Sequence, residues 1–142
     1  MEARALQPLA VIEDSDEDFE ALSRVLRETT AYDGVKRYVS GEEALAGLLE
    51  GRDRRPALIL LDLNLPGIRG IDVLAALKRD RRVRAVPVIV LSGSSREEDV
   101  DAAYDAGANA YLSKPLDYTE LRRIVLSLHE FWRVASLPGQ GE

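Results

Sequence analysis

The sequence predicts an α/β fold, a doubly wound five-stranded parallel sheet flanked by five helices. Two observations predict it. Five short apolar segments alternate with five segments whose apolar residues recur at helical spacing, the alternation that builds parallel sheets through right-handed crossovers. Three of the five short segments are continuous apolar runs, as strands covered by helices on both faces require.

The strands read, in order, LAVI (Leu9–Ile12), VKRYV (Val35–Val39), ALILL (Ala57–Leu61), VPVIVL (Val86–Leu91) and NAYLS (Asn109–Ser113). The first helical segment places Phe19, Leu22, Val25 and Leu26 on one face, and the second does so with Ala44, Leu45, Leu48 and Leu49. Start signals precede several helices. Ser40 with Glu43, Ser95 with Glu98 and Asp117 with Glu120 have the spacing of a capping box, and Asp14 or Asp16 can cap the first helix. Gly51 and Gly107 stand where helices should end. The connecting segments are too short for a second domain, so one domain is expected, with its core over about residues 7–135 and a short tail at 136–142.

Composition narrows the function. The 142 residues are 46% hydrophobic and 31% charged, ordinary for a globular domain that buries a core. The absence of cysteine rules out disulfides, thiolate metal sites and thiol catalysis. No apolar run approaches the roughly 20 residues of a membrane span, and the N-terminus lacks a secretory pattern. The expectation is therefore a cytoplasmic protein with no membrane partner. A formal charge of −6 argues against a nucleic-acid surface. The basic runs RDRR (Arg52–Arg55) and KRDRRVR (Lys78–Arg84) fall where helices give way to strands, where cations complement the helix dipole.

In open parallel sheets the ligand site lies beyond the carboxyl ends of the strands. Here the first strand ends in Glu13-Asp14, the third in Asp62, the fourth in Ser92 and the fifth near Lys114. Adjacent strands run about 4.8 Å apart, so these side chains can share one site. Each has a plain alternative alone: a helix cap, a turn serine, a surface lysine. Their convergence on one rim is the informative feature. Close carboxylates disfavour joint ionisation without a counter-charge. A hard divalent cation such as Mg²⁺, which takes oxygen ligands and a phosphate oxygen, supplies one. The chemistry this suggests is phosphoryl transfer: Asp62 as nucleophile, the cation as Lewis acid, and Ser92 and Lys114 hydrogen-bonding the phosphoryl oxygens.

The stretches IED (Ile12–Asp14), LLDLNLPG (Leu60–Gly67), VIVLSG (Val88–Gly93) and AYLSKP (Ala110–Pro115) resemble the receiver domain of two-component response regulators, over nearly the whole chain. The resemblance implies a flavodoxin-like receiver fold with strand order 2-1-3-4-5. It implies that Asp62 accepts phosphate from a sensor histidine kinase. Asp14, Asp62 and the Asn64 backbone carbonyl would bind Mg²⁺ or Mn²⁺, with Glu13 acting through water. Ser92 would be the switch hydroxyl and Lys114 a phosphoryl contact. Tyr111 would be the switch aromatic, turning inward when Ser92 moves. Asn64 and Ser94 would tune dephosphorylation, and the Lys114–Pro115 peptide, often cis in the family, is a candidate for that form. Glu13 replaces a frequent Asp and Ser92 a frequent Thr, both within the family's range.

By this resemblance the protein is a phosphoacceptor signalling domain rather than an enzyme, catalysing only its own phosphotransfer and dephosphorylation. No output domain is expected, since only LPGQGE follows the last helix. Signalling would then pass through protein contacts or a histidine phosphotransfer protein. Phe131 and Trp132 are adjacent, so one stripe cannot bury both. A homodimer through the face of the fourth helix, fifth strand and fifth helix, or through the C-terminal helix, is expected. The ending HEFWRVASLP is similar to that of single-domain regulators paired with bacterial phytochrome kinases. His129 reads as a helix-face residue. Two other readings stay open. One is a Mg²⁺-dependent phosphohydrolase of the haloacid-dehalogenase type, which favours Asp where Asn64 stands. The other is an interaction module with an unused pocket.

Overall fold

The computed structural model describes residues 9–29 and 34–136. Five parallel strands form one sheet in the order β2-β1-β3-β4-β5: β1 (Leu9–Ile12), β2 (Val35–Tyr38), β3 (Leu58–Leu61), β4 (Val88–Ser92) and β5 (Ala110–Ser113). The helices are α1 (Asp16–Leu26), α2 (Gly41–Leu49), α3 (Gly70–Arg79), α4 (Glu97–Asp105) and α5 (Tyr118–Val134). Residues 137–142 of the expected tail at 136–142, and the start of the chain, lie outside the described residues.

Side-chain alternation along the strands divides the core in two. Ile12, Ile59, Leu61, Val88 and Val90 pack with Leu48, Leu74, Leu77 and Ala103 beneath α2, α3 and α4. Leu9, Val11, Leu58, Leu60 and Ile89 pack with Leu22, Val25 and Val125 beneath α1 and α5. β1 and β3 are buried at every position, which explains their unbroken apolar sequence. Each fully buried aliphatic side chain stabilises the fold by about 1.5–3 kcal/mol.

Strand β4 begins at Val88, two residues later than the sequence suggests, because Pro87 has no N–H to give the ladder. Asn109 precedes β5, and its side-chain oxygen accepts from Val88 N–H at 2.8 Å and Lys78 Nζ at 3.0 Å. Both basic runs fall between a helix and the next strand: Lys78 and Arg79 close α3, and Arg52–Arg55 lie in the loop after α2. Arg82 donates to the carbonyls of Leu48 at 2.6 Å and Asp53 at 2.8 Å, closing the end of α2. Lys78 reaches the Val86 carbonyl at 2.9 Å, and burial pulls its pKa down.

Ser40 and Asp117 cap α2 and α5 through the N–H groups of Glu43 and Glu120. Two capping expectations need correction. Ser15, not Asp14 or Asp16, caps α1 by accepting from Asp18 N–H at 3.1 Å. Ser95 caps nothing; α4 starts after Arg96, which makes no side-chain cap. Gly51 and Gly107 follow α2 and α4 with φ of 75° and 114°, the conformation that favours glycine. No helix among the described residues is long and apolar enough to cross a membrane.

Candidate functional site

Three rim residues are each fixed by a backbone hydrogen bond that prolongs the sheet. Glu13 N–H donates to the Tyr38 carbonyl at 3.0 Å, Asp62 N–H to Ile12 at 3.0 Å, and Lys114 N–H to Ser92 at 2.7 Å. The ladders thus run past the apolar strands and set the first polar residues at the carboxyl edge. The sheet then continues no further, and the side chains turn to one another.

Glu13, Asp14 and Asp62 each bring a carboxylate oxygen to within 4.8 Å of the others. Glu13 and Asp62 are buried at 5% and 6% exposure, whereas Asp14 faces solvent. Asp62 Oδ1 accepts from Asn64 N–H at 3.0 Å, and a Glu13 oxygen accepts from Ser15 N–H at 3.0 Å. These bonds fix both carboxylates in orientation.

Lys114 crosses from edge strand β5 to the centre. Its ammonium lies 2.8 Å from Glu13, 3.1 Å from Asp62 and 2.7 Å from Asp18. Asp18 is a contact the sequence does not announce, since it sits in the first turn of α1 among other acidic residues. Burial acts to lower the Lys114 pKa, but Asp18, Glu13 and Asp62 outweigh it and hold the ammonium charged above its usual range. Burial pushes Glu13 up to about 6, with Asp62 adding repulsion and Lys114 and the Ser15 N–H opposing. One ammonium against this many carboxylates leaves the rim strongly negative. Closely set, mostly fixed oxygen donors with excess negative charge fit a hard divalent cation.

Ser92 ends β4 and is buried at 4% exposure. Its hydroxyl accepts from Ser94 N–H at 3.3 Å. Tyr111 is half-buried against the α2–α4 side of the core, and its hydroxyl donates to the Ser94 carbonyl at 2.8 Å. The ring that the resemblance expects to move is thus tied by this bond to the loop after β4. Asn64, Ser92, Ser94 and Tyr111 line one open groove of about 620 Å³.

Arg37 is a second contact that the sequence does not announce. It reaches from β2 to the Glu13 carbonyl at 3.1 Å and the Asp16 carboxylate at 2.9 Å, and lies over the Phe19 ring, bracing the loop that carries Glu13 and Asp14. The candidate cis bond is not present. Every described peptide is trans, including Lys114–Pro115, the state favoured for X–Pro by about 0.5–1 kcal/mol. At the far end of α5, Phe131 is 60% exposed while Trp132 packs on the core, the division their adjacency requires.

The sheet order and this rim define a receiver domain. The response regulator receiver domain profile matches residues 9–126, and the chain belongs to that family, which works in two-component signalling. Among its relatives, FilR2 of Methanothrix harundinacea (strain 6Ac), a probable methanogenesis regulatory protein, is 44% identical over 86 residues, covering 60% of this chain and 56% of its own. The chain spans only about half the length of that relative. The response regulator Rcp1 of Synechocystis sp. (strain ATCC 27184 / PCC 6803 / Kazusa) is 35% identical over 128 residues, covering 87% of each chain. The crystal structure of the phosphorylated cyanobacterial phytochrome response regulator RcpA superposes with a TM-score of 0.89 at 36% identity, covering 95% of this chain and 100% of its own. The Mn²⁺-bound form of Rcp1 superposes with a TM-score of 0.86 at 34% identity, covering 94% and 99%.

Proposed function

We propose that Asp62 accepts a phosphoryl group from the phosphohistidine of a sensor kinase, and that the modified rim changes the contacts of this receiver with its partners. The observation that carries this reading is Asp62 itself: a buried carboxylate, fixed by Asn64 N–H and Lys114, beside two further carboxylates. An Asp62 oxygen attacks phosphorus, the P–N bond breaks, and the imidazole leaves and takes a proton from solvent. The product is an acyl phosphate on Asp62.

Glu13, Asp14, Asp62 and the Asn64 carbonyl would hold the divalent cation, Mg²⁺ or Mn²⁺, with Glu13 acting through water. When bound, the cation supplies Lewis acidity and neutralises the negative rim. Lys114, already charged and placed against Asp62, takes a phosphoryl oxygen as the incoming charge develops. Ser92, at the end of the neighbouring strand, exchanges its bond from Ser94 N–H for one to the phosphoryl group. Tyr111 and Ser94 then carry the change outward, with Asn64 and Ser94 tuning how long the phosphate survives. The Mn²⁺-bound Rcp1 and phosphorylated RcpA support the assignment by likeness.

The same likeness favours a bacteriophytochrome-type histidine kinase as donor, with a histidine phosphotransfer protein as a further phosphoryl partner. Exposed Phe131 on α5 supports a homodimer through that helix or through the α4–β5–α5 face. The test is intact-mass spectrometry after acetyl phosphate and Mg²⁺. A single phosphoryl adduct on the wild type and none on Asp62→Asn is expected. Equal adducts on both would sink the assignment.

A further inference from the structure

Ser94 uses every polar atom it has. Its N–H donates to Ser92 Oγ at 3.3 Å and its carbonyl accepts from Tyr111 at 2.8 Å. Its hydroxyl donates to Asp99 Oδ2 at 2.5 Å and accepts from Arg96 N–H at 3.2 Å. Asp99 is the third residue of α4. The Ser94 hydroxyl and the Asp99 carboxylate together do what Ser95 was expected to do: they tie the first turn of the helix to the preceding loop.

A continuous chain of hydrogen bonds therefore runs from the end of β4, through Ser94, to α4. Ser92, Ser94 and Asp99 line the same groove as Asn64 and Tyr111. Gly93 lies between Ser92 and Ser94, and a side chain there would meet nothing within 4 Å. On its own this linker would absorb a movement of Ser92 by backbone rotation. A charged acceptor holding Ser94 from the helix side removes that freedom.

We propose that Asp99 is the positioning residue that couples Ser92 to α4. By fixing the Ser94 hydroxyl, it makes a change in the Ser92 hydroxyl arrive at the helix instead of dissipating in the loop. The signalling role rests on the phosphoacceptor reading above, whereas the coupling is a property of the fold and is measurable without phosphate. A simpler role for Asp99, a negative charge complementing the α4 dipole, predicts no dependence on Ser94.

The experiment compares backbone amide NMR spectra of the full chain with and without Ser92→Ala, in wild-type, Asp99→Asn, Asp99→Ala and Ser94→Ala backgrounds. Ser92→Ala removes the acceptor of Ser94 N–H. The α4 amides are expected to shift in the wild-type background and in Asp99→Asn, which keeps an acceptor oxygen without the charge. They are expected to stay still in Asp99→Ala and in Ser94→Ala, which break the link from opposite sides. Undiminished α4 shifts in Asp99→Ala would overturn the proposal, and so would Asp99→Asn losing them as completely as Ala does. A parallel arm adds acetyl phosphate and Mg²⁺, with the adduct followed by mass. Failure of the wild type to form an adduct would count against the phosphoacceptor reading alone, since the substitution arm still decides the coupling.

Discussion

The ammonium of Lys114 and the carboxylate of Asp62 lie 3.1 Å apart, although 52 residues separate them in the chain. Asp62 ends central strand β3 and Lys114 follows edge strand β5, so the lysine stem must pass over the end of β4 to make the contact. The same ammonium also meets Glu13 and Asp18. Among the described residues it is the cation paired with the Glu13 and Asp62 carboxylates themselves, whereas Arg37 meets only the Glu13 backbone carbonyl.

Neutralising an exposed member of the cluster should relieve repulsion. In chelator, Asp14→Asn is expected to leave the fold unchanged or more stable by up to about 1 kcal/mol. In millimolar Mg²⁺ the wild type should gain thermal stability through binding, and Asp14→Asn should lose most of that gain. Differential scanning calorimetry in the two buffers checks both signs. A full metal-dependent shift in the variant would remove Asp14 from the ligand set.

Glu13 makes stability depend on pH. Its pKa in the folded protein is about 6 against an ordinary 4.5, so between these values the folded state binds more protons than the unfolded one. Stability in chelator should therefore fall as pH rises from about 4.5 to about 6, by about 2 kcal/mol at most from this group. Urea titrations across that window check it. Glu13→Gln should flatten the slope, and Mg²⁺ should oppose it because the cation competes with the proton.

Gly70 should tolerate no side chain. A Cβ there would stand 2.4 Å from Leu63 Cα and 2.8 Å from the Asp62 carbonyl oxygen, both backbone atoms that cannot rotate aside. Gly70→Ala is expected to destabilise the fold by roughly 1–3 kcal/mol and to weaken divalent-cation binding, because the displaced segment carries Asp62. Chemical denaturation and isothermal titration with Mg²⁺ measure the two effects. Tyr38→Phe is the control. Tyr38 donates to Asp53 at 2.7 Å, so its loss should cost about 1–2 kcal/mol with cation binding unchanged.

The exposed ring of Phe131 allows a clean test of association. Phe131→Lys should change stability by less than about 0.5 kcal/mol, as a surface substitution, while shifting any self-association seen by sedimentation velocity toward monomer. Sedimentation identical to wild type would take Phe131 out of the interface.

Much of this was legible in the sequence because burial on both faces leaves a continuous apolar signature, and because a strand that ends in an ionisable residue names the rim it points to. LILL before Asp62 and VIVLS up to Ser92 are of this kind. What was hidden depends on packing between elements distant in sequence. Asp18 looks like any acid in a helix's first turns, and its contact with Lys114 exists because α1 and α5 cover the same face. Ser94 and Ser95 offer equivalent capping hydroxyls in sequence, and only the path of the loop after β4 selects Ser94. The Lys114–Pro115 bond could not be settled locally, since proline permits both isomers.

The most direct test of the central claim is to locate the phosphoryl group chemically. After treatment with acetyl phosphate and Mg²⁺, borohydride reduces an aspartyl phosphate to homoserine, and peptide sequencing by tandem mass spectrometry reads where. Homoserine is expected at position 62 and at no other position. A phosphoryl adduct in the intact protein whose reduction falls on another carboxylate, or on none, would contradict it.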